Sequence, residues 1–201
     1  MPIAIIRPDD RRRTAVETMI RSVYRDRYQA KIAEFPPALA ALFNDDGIPL
    51  CAAGLRDDAS GFFSEVYLDQ SVEASIARLA REPVARTSIL EVTTLAAAHP
   101  GHALTLVDHI VADGEGRGMK WGLFTATRPL RIGLRRNGAG VLEIALAERH
   151  RVENAEQWGS YYETNPIVCA VSGDGYGDSA VQSATRRSVS LHKEQERARH
   201  A

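Results

Sequence analysis

Two cysteines in 201 residues, Cys51 and Cys169, exclude a disulfide framework, and without a Cys-x-x-Cys pair they cannot build a zinc site unaided. Each sits in an apolar run, Leu50 to Ala53 and Ile167 to Val171, where a thiol serves as a small buried hydrophobe. No run approaches the ~20 apolar residues of a membrane span. An excess of charge of one sign is missing too. The 25 basic and 26 acidic residues leave a net charge of −1, without the basic surplus of a nucleic-acid binder. The first apolar run, Ile3 to Ile6, is short and precedes the basic cluster Arg11-Arg12-Arg13, the reverse of a secretory signal. We therefore expect a cytoplasmic protein with no nucleic-acid partner and no transmembrane segment.

What is present suits a globular enzyme-sized fold. The chain is 44% apolar and 25% charged, and at this length a single domain buries roughly 70% of its unfolded surface. Large apolar residues become scarce from about residue 173, where Gly-Asp-Gly-Tyr-Gly-Asp gives way to a polar, charged stretch. We expect a domain over 1–172 and a disordered tail over 173–201.

Within 1–172, strand-like and helix-like patterns alternate, which predicts an α/β (α+β) mixed sheet flanked by helices. Strands are expected at Ile3 to Arg7, Leu39 to Phe43, Ile48 to Leu55, Phe62 to Tyr67 and Ser88 to Ala97, then at Lys120 to Thr125, Val141 to Leu146 and Ile167 to Val171. Asp46-Gly47 should turn the second of these into the third as a tight hairpin. Helices are expected over Thr14 to Ala30, after a Ser71 cap, from Pro100-Gly101 to a stop at Gly114, and over Arg128 to Arg136 behind a Thr127 cap.

Several short runs carry a resemblance: Ile20-Arg21-Ser22-Val23-Tyr24, Phe35-Pro36-Pro37-Ala38-Leu39, Gly54-Leu55-Arg56, Glu91-Val92, Phe124-Thr125-Ala126-Thr127, Leu130-Arg131 and Trp158-Gly159-Ser160-Tyr161-Tyr162-Glu163. Over about 16–172 they are similar to the thermostable hemolysin family, whose outline resembles GNAT acyltransferases and acyl-homoserine-lactone synthases. That likeness implies a GNAT-like fold and transfer of an acyl group from a thioester. Thr93-Thr94 stand where the family usually has Gly-Asn. Only His99-Pro100-Gly101-His102-Ala103 occupies the place of the GNAT cofactor loop, and a carrier-protein-bound acyl chain asks less of such a loop than coenzyme A does.

Glu91 is the first candidate, because a carboxylate in an apolar strand must find a partner or raise its pKa, and a raised carboxylate can serve as a base. The structural alternative is an ion pair with Arg21 or Arg56. Main-chain amides near Leu95 and Ala96, with Thr93 before them and Gly101 and His102 opening a helix, could meet a thioester carbonyl or a phosphate. An ordinary strand-helix connection is the plain alternative. Arg21 and Arg56 could orient an acceptor, Tyr24 and Trp158 could wall a cleft, and Tyr161 or Tyr162 could protonate a leaving thiolate, against packing roles for each. His99, His102 and His109 with Asp108 or Asp113 sketch a metal set whose spacing matches no known motif, so no metal is assigned.

The expectation is an N-acyltransferase with no tightly bound cofactor. It would take an acyl group from acyl-carrier protein or acyl-CoA to a small amine acceptor, with a homodimer left open. Two other classes stay in play, a lytic or lipid-binding protein and a non-catalytic acyl-carrier-binding module.

Overall fold

The stretch Ala38-Leu39-Ala40-Ala41-Leu42-Phe43 has no polar residue on either side of its pleat, so a strand made of it must be covered on both faces. In the computed structural model, which describes residues 1–173, this is what happens. Strand β1 (Ile3–Ile6) leads into helix α1 (Arg13–Tyr28), followed by β2 (Ala38–Phe43) and β3 (Pro49–Arg56). Leu39, Ala41 and Phe43 pack with Val16, Ile20 and Tyr24 of α1, while Ala40 and Leu42 point to the opposite core. There α3 (Pro100–Gly116) supplies Leu106 and Ile110. Ile20 and Leu106 are wholly enclosed, each burial contributing about 1.5–3 kcal/mol.

The remaining elements are α2 (Val72–Ala80), β4 (Ile89–Ala97), β5 (Trp121–Ala126), α4 (Arg128–Arg136), β6 (Leu142–Leu146) and β7 (Ile167–Ser172). The seven strands form one sheet in the order β1-β2-β3-β4-β5-β7-β6. Every adjacent pair is antiparallel except β4 and β5. Parallel strands need a crossover, and α3 supplies it. The β4–β5 ladder is short, running from Ile89 opposite Trp121 to Val92 opposite Phe124. Beyond that point β4 continues beside β3 and β5 beside β7, so the sheet opens between them.

A bulge marks the opening. Between the pairs Gly54–Thr93 and Ala52–Ala96, β4 carries one residue more than β3, and Thr94 takes φ +45°. A β-branched residue in that region is strained.

Most expected elements are present, with three corrections. Phe62 to Tyr67 is not a strand; Phe63–Tyr67 is a 3-10 turn whose first amides are held by the Glu91 carboxylate. Gly114 does not end α3. It lies inside the helix, where a Cβ would touch Leu90 and Met119, and Gly118 takes the positive φ instead. Thr127 precedes α4 without a side-chain capping bond. The last strand in the chain, β7, inserts between β5 and β6. The tail expected over 173–201 lies, but for Gly173, outside the described residues. Among the described residues no helix is long and apolar enough to cross a membrane.

Candidate active site

The gap between β4 and β5 opens into a cleft of about 840 Å³. It passes through the sheet. On one face its wall is apolar and comes from α3 and α4, through Ala103, Leu104, Val107, Leu130 and Leu134. On the other face it is aromatic, formed by Tyr24 and Tyr28 at the end of α1, Phe63, Trp158 and Tyr161. These rings pack edge to face or tilted, with centroids 5.3 Å apart for Tyr28 and Tyr161, 5.5 Å for Trp158 and Tyr161, and 5.8 Å for Phe63 and Trp158.

The aromatic wall depends on how the 158–161 run docks. Gly159 adopts φ +54°, and a Cβ there would overlap the carbonyl oxygen of Tyr28. That carbonyl, freed at the end of α1, accepts the Ser160 amide at 2.8 Å, while the Lys31 amide donates to Gln157 O at 2.6 Å. The only residue type without a Cβ therefore lets the loop close on the helix end and present Trp158 and Tyr161. Comparable logic holds the Pro36-Pro37 segment: Arg13 donates to both proline carbonyls, at 2.7 and 2.9 Å.

Glu91 is fully buried, on the same face as the aromatic wall. Its Oε2 accepts the Phe63 amide at 2.7 Å, and its Oε1 accepts the Ser64 amide at 2.8 Å and the Ser64 hydroxyl at 2.6 Å. Burial raises its pKa above the ordinary carboxylate value, opposed by the Ser64 hydroxyl, the two amides and the charge of Arg56. Glu91 does not itself line the cleft; Ser64 and Thr125 do. Their hydroxyl oxygens are 3.0 Å apart. Ser64 has one proton and gives it to Glu91, so Thr125 must be the donor in the second bond. The Thr125 oxygen then keeps lone pairs to receive a proton from the cleft, at the first position past the last β4–β5 pair.

The other candidates divide. Arg56, Thr93, Leu95, Tyr24, Trp158 and Tyr161 line the cleft. Tyr161 is nearly enclosed, its hydroxyl 3.3 Å from Thr125 O, and burial holds its pKa well above that of a free phenol. Arg56 pairs in register with Glu91 but makes no ion pair with it; its Nη1 donates to Ser60 O at 3.2 Å. Arg21 does not line the cleft. Its guanidinium donates to Ile32 O and Glu17 and stacks 4.6 Å over Phe35, and it forms no ion pair with Glu91. Tyr162 is one bond removed, its hydroxyl 2.8 Å from that of Tyr67.

Ala96 packs into the core beneath α1, and Gly101 and His102 stand outside the cleft, whose α3 wall begins at Ala103. From Thr93 onward, however, the β4 edge toward β5 has no strand paired with it, so main-chain groups there are open to a ligand. Among the described residues no group of three His, Cys, Asp or Glu side chains could hold a metal ion, which removes the His99, His102 and His109 set.

Sequence reasoning missed Ser64 and Thr125. Nothing marks Ser64 in the chain, because its role is created by a turn read there as a strand. Thr125 lies within the Phe-Thr-Ala-Thr run, where the sequence alone marks only the end of a strand.

The sequence model of the thermostable hemolysin family matches residues 6–176. The chain belongs to that family. None of the curated proteins matches it by sequence. In three dimensions this thermostable hemolysin family member is similar to the acyl-homoserine-lactone synthase LasI. The TM-score is 0.58 at 10% identity, over 86% of this chain and 89% of LasI. MesI, a CoA-dependent acyl-homoserine lactone synthase, gives 0.53 at 14%, over 89% and 93%. FeeM, an N-acyl amino acid synthase from uncultured soil microbes, gives 0.53 at 16%, over 85% and 91%. At such identities the likeness is one of fold, and it agrees with the GNAT-like fold that the family resemblance implies.

Proposed function

We propose that this thermostable hemolysin family member is an N-acyltransferase, moving an acyl group from a thioester donor, acyl-CoA or acyl-carrier protein, to a small amine. One observation carries this: a cleft opened by the split of β4 and β5, with a buried carboxylate reached from its apex through two hydroxyls. The fold relatives support it, since LasI, MesI and FeeM are synthases of acylated amines by their names.

In the reaction the neutral amine nitrogen attacks the thioester carbon. The C–N bond forms, the C–S bond breaks, and the products are an amide and a free thiol. The nitrogen must lose one proton. Thr125 accepts it as its own proton passes to Ser64 and that of Ser64 passes to Glu91, so Glu91 is the base at the end of a relay. The thiolate takes up a proton on leaving, from solvent or from Tyr161. Free main-chain amides of β4 near Leu95 polarise the thioester carbonyl, and the apolar wall of α3 and α4 holds the acyl chain.

The test is to incubate the purified chain with acyl thioesters of several lengths and a pool of amines and amino acids. Thiol release is followed optically and products by mass spectrometry. Amide product with stoichiometric thiol supports the reading. Donor bound without product under any acceptor overturns it in favour of a binding module, and leakage of dye-loaded vesicles without donor overturns it in favour of a lytic protein.

A further inference from the structure

The acceptor side of the cleft carries a feature that amine acylation alone does not require. Arg56 sits at the end of β3, in register with Glu91 and on the same face of the sheet. It is partly buried and lines the cleft. Its one hydrogen bond goes to a main-chain carbonyl, Ser60 O, and among the described residues no carboxylate forms an ion pair with it. A guanidinium has five N–H donors and cannot be deprotonated in a protein. Most of that donor capacity is unspent and adjoins a cavity. By contrast, Arg13, Arg86, Arg131 and Arg151 each pair with a carboxylate. Glu91 faces Arg56 across the strand pair and feels its charge, but its oxygens accept from Phe63 and Ser64 and form no ion pair with the guanidinium.

We propose, resting on the acyltransferase reading, that the acceptor is a free amino acid with a large apolar or aromatic side chain, and that Arg56 reads its α-carboxylate. Three groups on one face of the sheet match the three groups on an α-carbon. Arg56 meets the carboxylate with a forked, charge-assisted contact. Thr125, linked to Glu91 through Ser64, meets the amine. The rings of Tyr24, Tyr28, Phe63 and Trp158 form the pocket for the side chain. Arg27 and Lys31 at the rim are matched in formal charge by Glu34 and Glu153, so the carboxylate contact falls to Arg56. The products are an N-acyl amino acid and the donor's thiol.

The experiment compares phenylalanine with phenethylamine, which has the same ring and amine but no carboxylate. Calorimetric titration of the full chain measures binding. Product formation from a medium-chain acyl-CoA is measured in parallel. Phenylalanine should bind and be acylated about 10- to 100-fold better, the range of a charge-assisted contact. R56M should collapse the ratio of kcat/KM for the two acceptors toward one, and R56K should fall between, keeping the charge but losing the fork. Circular dichroism of both variants checks that the fold is kept.

Equal binding and equal turnover of the two compounds by the wild-type chain would overturn the carboxylate reading and leave acyl transfer standing. Preferential binding of phenylalanine lost in R56M, without thiol release from any donor, would support the carboxylate contact and overturn the acyltransferase reading.

Discussion

The hydroxyl of Ser64 lies 2.6 Å from Glu91 Oε1, and it is Ser64, not Glu91, that faces the cleft. A carboxylate held this way is shielded from bulk water yet stays in proton contact with a ligand. Ser64→Ala and Thr125→Val should each lower kcat by about 10- to 100-fold with little change in donor KM, within the range for lost acid-base assistance. Thiol-release kinetics on folded protein decide this; full activity in both variants would remove the relay.

Glu91 ties activity and stability to pH with opposite signs. Its pKa is raised in the folded protein, so the carboxyl stabilises the fold most below the ordinary carboxylate range. That contribution is lost as pH rises through the raised value. Activity needs the ionised form and should climb across the same interval. Glu91→Gln should abolish the rising limb of the kcat/KM profile. It also sets an NH2 group against an amide of Phe63 or Ser64, costing about 1–3 kcal/mol. Denaturation curves against pH and a pH-rate profile measure the two slopes.

Gly159→Ala should damage folding more than its size suggests. The added methyl meets the Tyr28 carbonyl, and the backbone there is left-handed. The loop must lift from the end of α1, withdrawing Trp158 and Tyr161 from the aromatic wall. A drop in thermal midpoint with a change in tryptophan emission is the expected result.

Arg21→Ala should cost only about 0.5–1 kcal/mol, the worth of a partly exposed cation-π contact and surface ion pair, and should leave the acceptor KM unchanged. A large rise in that KM would return Arg21 to the site.

Leu130→Trp narrows the apolar wall on the α4 side. Turnover of long acyl thioesters should fall relative to short ones, measured as a ratio of kcat/KM across chain lengths. A uniform loss at all lengths would place the acyl chain elsewhere.

Much of this was legible in the chain because it follows from local chemistry. The stripe of Val16, Ile20 and Tyr24 marked α1, Asp46-Gly47 marked the hairpin, and the unbroken apolar run around Glu91 marked a central strand. What stayed hidden depends on partners distant in sequence. The 3-10 turn at Phe63 exists because a carboxylate 28 residues later caps it. The bulge at Thr94 is set by the register of β3 against β4, and the place of β7 by pairing across the sheet. That Arg21 does not line the cleft is hidden too, because an arginine on a helix does not announce which way it reaches; the carbonyl of Ile32 and the ring of Phe35 hold it.

A passage that pierces a sheet has two mouths. If the thioester enters between α3 and α4 and the amine enters past Tyr24 and Trp158, neither has to depart before the other arrives. Initial-rate plots should then intersect, as for a ternary complex, and no acylated enzyme should accumulate when the nucleophile is withheld.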